Sequence, residues 1–86
     1  MKFSTSGEPI RVDFQNADGK GRVRLNTRGA LKDIERLALT LRNGMHLLLS
    51  DGELEIDGVA AYSEEEQIWV SIVDWNKLRD TQPLRT

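Results

Sequence analysis

Three groups of residues carry types and spacings that could do chemistry. The first is acidic: Asp51, Glu53, Glu55 and Asp57, then Glu64, Glu65 and Glu66. On an extended strand Glu53, Glu55 and Asp57 point the same way at intervals of about 7 Å, a ladder able to attract a cation or a basic partner. Set against the calcium-loop template from Asp51, the third and fifth places hold Glu53 and Glu55. The sixth place, however, is Ile56 where glycine is needed, and the twelfth is Tyr62 where Glu is needed. The template fails and no metal is expected. The stretch reads as a solvated strand face partly neutralised by Arg22 and Arg24 on a nearby strand, or as a patch that binds a protein partner.

The second group is basic and begins with Lys20, Arg22, Arg24 and Arg28, continuing through Lys32, Arg36 and Arg42. Alternating arginines beside a glycine-containing loop can follow a phosphate backbone, and small barrels use aromatic rings as stacking platforms for the bases. Against this, the aromatics lie elsewhere in the chain except Phe14, the pI is about 5.3, and an acidic half would repel nucleic acid. The third group is aromatic: Trp69 and Trp75 at even spacing on one strand, with Tyr62 before them. They read as cover for a second edge of a barrel, or as a Tyr62–Trp69–Trp75 groove for a peptide.

His46 is the sole histidine. Beside a carboxylate such as Asp57 it could act as an oriented general base, but the nucleophile such a base would serve is missing. The chain has no cysteine, Ser50 and Ser71 lack an elbow motif, and there is no phosphate loop or dinucleotide fingerprint. No catalytic residue and no cofactor is expected.

The elements that must position these groups follow from periodicity. Ile10, Val12 and Phe14 alternate with polar residues, as do Val23 and Leu25, giving two strands joined across the turn-rich stretch 16–21 and read as a hairpin. From Thr27, a plausible N-cap, Leu31, Ile34, Leu37 and Ala38 adopt helical spacing over two to three turns. So short a helix must lay its Leu31–Ile34–Leu37 stripe on a sheet or across a barrel mouth. Leu39, Thr40 and Leu41 read as extended, and Asn43-Gly44 as a turn.

A three-strand meander follows. Met45 to Ser50 is apolar on both faces and reads as a central strand. Asp51-Gly52 predicts a two-residue type I′ turn, which would set Ser50 opposite Glu53, Leu49 opposite Leu54, Leu47 opposite Ile56 and His46 opposite Asp57. The strand 53–62 carries Gly58, read as a bulge or bend, and 68–75 is the last strand. The polar tail after Leu78 is expected to fray.

The order β-β-α-β-β-β predicts a mainly β domain: a small antiparallel barrel of the Src-homology-3-like kind with one short helix. An α+β roll of the β-grasp kind shares that order and is the alternative. The 86 residues make one domain, with an ordered core over about 9–78 and frayed termini, stabilised by packing without disulfides. The start has no apolar h-region and the longest apolar run is Leu47-Leu48-Leu49, so neither a secretory signal nor a membrane span is expected, and the cytoplasm is the default location. Residues 1–44 hold nine Lys or Arg against five Asp or Glu, whereas residues 45–86 hold three against nine.

The back half resembles a group of small bacterial proteins without an assigned activity. The residues that carry the resemblance are Leu41-Arg42-Asn43-Gly44-Met45, Gly58-Val59, Tyr62, Glu64-Glu65-Glu66, Ile68-Trp69-Val70 and Asp74-Trp75, with Arg24-Leu25-Asn26-Thr27-Arg28-Gly29 ahead of them. The likeness covers roughly residues 24–78 and implies a compact cytoplasmic barrel; it adds no site. The leading functional expectation is a non-catalytic interaction module that binds protein or itself through Tyr62, Trp69, Trp75, Glu53, Glu55 and Asp57. Nucleic-acid binding through Lys20, Arg22, Arg24 and Arg28 is the alternative, and an enzyme or metal protein centred on His46 the third class.

Overall fold

A computed structural model describes residues 8–80. Of the ends expected to fray, those on either side of about 9–78, residues 1–7 and 81–86 lie outside the described residues. Among the described residues six strands and one α-helix follow one another as β1 (Ile10–Arg11), β2 (Val23–Arg24), α1 (Arg28–Arg36), β3 (His46–Ser50), β4 (Leu54–Ser63), β5 (Ile68–Val73) and β6 (Arg79–Asp80). They form a single sheet in the order β1-β3-β4-β5-β2, with β6 on β4, curled into a half-barrel. The mainly β class with one short helix is as expected, and the nine-residue helix is not the long cross-sheet helix of a β-grasp roll.

Two pairings differ from expectation. β1 and β2 make no hairpin: β1 runs parallel to β3, β2 runs antiparallel to β5, and the sheet is therefore mixed. The segment between them closes on itself instead. Arg22 C=O accepts the Asp18 N–H, Gly21 takes a positive φ of 79°, and Ala17 bridges Val23. That local reversal satisfies the residues a β1–β2 ladder would have used. The polar tail also does more than expected, because Arg79–Asp80 pair with Leu54–Glu55.

The β3–β4 register is two residues away from the one a turn at Asp51-Gly52 would set. Leu49 faces Ile56 and Ser50 faces Glu55, so Gly52 and Glu53 form the tip, with Asp51 N–H donating to Leu54 C=O. Gly52 takes the positive φ of 102° that a tight hairpin needs at its first central residue. Moving a turn by one residue moves the register by two. A two-residue slip keeps every side chain on its face.

The core fills the concave side of the sheet. Val23, Leu25, Leu47, Leu49, Ile56 and Ala60 are buried there with Ile10, Val12 and Ala30, and Trp69 and Val73 pack against them. The face of β5 carrying Trp69, Ser71 and Val73 is thus the inner one. Helix α1 keeps Ile34 and Leu37 of the expected stripe on its inner side, but Ala30 is its fully buried residue in place of Leu31, which is 54% exposed. Gly58 makes no bulge, since it pairs in unbroken register with Leu47 on one side and Val73 on the other.

Candidate functional site

His46 and Asp57 meet on the convex face. His46 lies opposite Val59 and Leu48 opposite Asp57, so the pair touches diagonally, with Nε2 3.2 Å from Asp57 Oδ1. The contact survives the slipped turn because the slip conserves the face. Arg79, delivered by β6, closes the group: it contacts Glu55 at 3.0 Å and Asp57 at 3.4 Å. The expected ladder is therefore two carboxylates long. Glu53 sits in the turn, where its N–H donates to Asp51 Oδ1. Leu54 N–H donates to the same oxygen, and these two main-chain donors hold the Asp51 carboxyl below its ordinary range. Neutralisation of Glu55 and Asp57 comes from Arg79 and not from Arg22 or Arg24.

The aromatic residues divide into two pairs. Tyr62 and Trp69 are directly opposed on β4 and β5, with ring centres 5.4 Å apart, edge to face. Trp75 has left the strand for a 3-10 turn, packs edge-on against Phe14 at 6.0 Å and donates its Nε1–H to Gly21 C=O. It ties the 13–22 segment to the end of β5, and a continuous Tyr62–Trp69–Trp75 strand-face groove does not form.

Three of the four expected basic-patch residues have acidic partners. Arg24 holds Glu66 through two parallel hydrogen bonds of 2.7 and 2.8 Å and also donates to Asn16 Oδ1 and Ala17 C=O. The hydrogen bond from Arg24 pulls the Glu66 carboxyl below its ordinary range, and Glu66 raises the guanidinium in turn. Arg22 pairs with Asp18 at 2.7 Å. The Asp18 side chain is 4% exposed, and burial alone would raise its pKa; the donors of Arg22 and Lys20 outweigh that and lower it. Lys20 lies 3.8 Å from Glu65. Arg28 opens α1 one residue after its N-cap Thr27, whose Oγ1 accepts the Ala30 N–H. Among the described residues no three His, Asp or Glu side chains gather as a metal site would require.

A cleft of about 550 Å³ opens beside the start of β3. Leu37, Leu39, Met45 and Leu47 supply apolar walls with Ile10 and Leu48, and Glu8, His46, Asp57 and Arg79 stand around it. The lining has no hydroxyl, thiol or amine side chain. Of this set the sequence marked only His46 and Asp57 as able to do chemistry, through the register of the β3–β4 hairpin. Leu37 and Leu39 were legible as apolar, but their role depends on how the helix ends. Ala38 takes a positive φ of 55°, with Leu39 N–H donating to Ile34 C=O and Ala38 N–H to Glu35 C=O. That is a Schellman closure, which turns Leu39 back toward the sheet.

No family model, no curated protein and no solved structure matches the chain. Among the described residues no helix is long and apolar enough to cross a membrane. The class that can be stated is a small, mainly β domain, a curled half-barrel with one short helix.

Proposed function

We propose that the protein is a small cytoplasmic, non-catalytic interaction module that binds another protein or itself, with the cleft beside β3 as its docking surface. The observation that carries the reading is the cleft: a concave apolar volume with a few polar groups at its rim is the usual form of a recognition site. The chemistry of the lining favours binding over catalysis, because the His46–Asp57 pair has no nucleophile to activate. Binding through the acidic and aromatic residues Glu55, Asp57, Tyr62 and Trp69 belongs to the same reading, with Asp57 shared by the cleft. Nucleic-acid binding draws less support, since Arg22 and Arg24 are engaged by Asp18 and Glu66.

The test is a photo-crosslinking residue placed at position 48, at the cleft, and separately at position 31, on the exposed face of the helix. Crosslinks to a discrete protein from position 48 and none from position 31 are expected, with loss of the adduct in a Leu39→Asp chain of unchanged circular dichroism. Equal labelling from both positions would remove the reading. Single-stranded DNA and RNA should leave the fluorescence anisotropy unchanged at low salt, and a clear rise would transfer the assignment to nucleic acid.

A further inference from the structure

The sheet protects its edges unevenly. Arg11 N–H on the outer side of β1 donates to Asp33 Oδ2 at 2.8 Å, so α1 caps that edge. Arg24 N–H on the outer side of β2 donates to Asn16 C=O at 3.0 Å, so the 13–22 segment caps the other. The first half of β3 has no such cover among the described residues. Met45 C=O accepts from Ala60 on the β4 side, whereas Ser50 C=O accepts from Val12 on the opposite side. Main-chain groups alternate along a strand, so His46, like Ser50, turns its N–H and C=O away from β4. β1 reaches only Leu49 and Ser50. The main chain of His46 thus opens toward the cleft.

An uncovered strand edge beside an apolar cleft fits an extended chain, whose backbone matches the open groups and whose alternate side chain fills the hollow. Charge selects the chain. The cleft rim carries two carboxylates, Glu8 and Asp57, both more than half exposed. Its one arginine, Arg79, already contacts Glu55 and Asp57, and Arg36 pairs with Glu8 at 3.1 Å, anchoring the chain before β1 to the end of the helix. With His46 neutral the lining has a net formal charge of minus one, and it belongs mostly to the acidic half of the chain.

We infer that the cleft takes an extended peptide of a protein partner by strand addition to β3, with an apolar side chain in the hollow and a lysine or arginine beside it. This rests on the interaction reading above and names the partner's chemistry. The test uses two capped synthetic hexapeptides, Thr-Val-Lys-Leu-Lys-Thr and the same sequence with Glu for Lys, titrated into the full-length 15N-labelled protein. The basic peptide should bind at least tenfold more tightly and shift the amides of His46 and Leu48. Asp57→Lys should abolish or reverse the preference, and N-methylation of at least one peptide amide should remove binding.

Equal affinities would overturn the inference while leaving the interaction reading to its crosslinking test. Absence of binding, or shifts centred on Tyr62 and Trp69, would overturn it also. Hydrogen exchange on the free protein separates the other occupants. A His46 amide already protected in the free chain and unmoved by peptide would assign the edge to residues 1–7, and protection that grows with protein concentration would assign it to a second copy. Either result overturns the inference.

Discussion

Gly58 is fixed by what lies across from it. A Cβ at this position would overlap Ser71 Oγ and stand 3.0 Å from Val73 Cγ1 and 3.2 Å from Ile72 O. The sheet closes so tightly there that hydrogen is the largest substituent that fits. Gly58→Ala is expected to cost about 1–3 kcal/mol through overpacking, read from urea unfolding. Ser71 Oγ is buried and has no hydrogen-bond partner among the described residues. Ser71→Ala should therefore leave stability unchanged or raise it, and should recover part of the Gly58→Ala loss in the double variant. A Ser71→Ala chain clearly weaker than the parent would show that the hydroxyl has a partner. The sequence marks the glycine as special but misreads its use, because a close approach depends on the residue in the next strand, which local pattern cannot supply.

At the scale of elements, the helix shows what periodicity resolves. Its start was legible: Thr27 caps Ala30 at 3.1 Å, and Thr27→Ala should cost about 1 kcal/mol. Its end was not, and its packing face was legible at Ile34 and Leu37 but not at Leu31. Two helical stripes share Ile34 and Leu37, one starting at Leu31 and one at Ala30, and a reading weighted by side-chain size chooses the larger residue. The close seat against β1 takes the smaller one, so Leu31→Lys should alter stability by no more than about 0.5 kcal/mol. The Schellman end places Ala38 where glycine is favoured. Ala38→Gly should stabilise the protein by about 0.5–1 kcal/mol, since the relief of the left-handed strain exceeds the added freedom of the unfolded glycine. A loss of stability in thermal unfolding would contradict that closure. The β3–β4 hairpin carries the same lesson: Asp-Gly was correctly read as a reversal, but Asp51 serves as the acceptor for the two N–H groups beyond it and the tip moves on by one residue.

For the whole molecule, the class and five of the six strands were legible, whereas β6 and the sheet order were not, because β1, β2 and β6 are two residues each and their partners lie far along the chain. The opposed charges of the two halves take on a meaning once the chain is folded: Arg24–Glu66 and Lys20–Glu65 join the basic front to the acidic back. The Arg24–Glu66 pair makes stability depend on acid, and Asp51 and Asp18 add to it through their own hydrogen bonds. Glu66, Asp51 and Asp18 all have carboxyls held below their ordinary values in the folded protein. In the unfolded chain the same groups protonate near pH 4, so the unfolded state binds more protons as pH falls through that window. The stabilisation is present in full above the unfolded values and is lost as pH falls toward the folded ones. The urea midpoint should stay level from pH 7 to about 5 and drop steeply below 4. Arg24→Gln removes the principal cause of the Glu66 displacement and should flatten the drop while lowering the plateau. A parent and variant with parallel acid curves would show that the Arg24–Glu66 bridge has no part in the folded protein's proton balance.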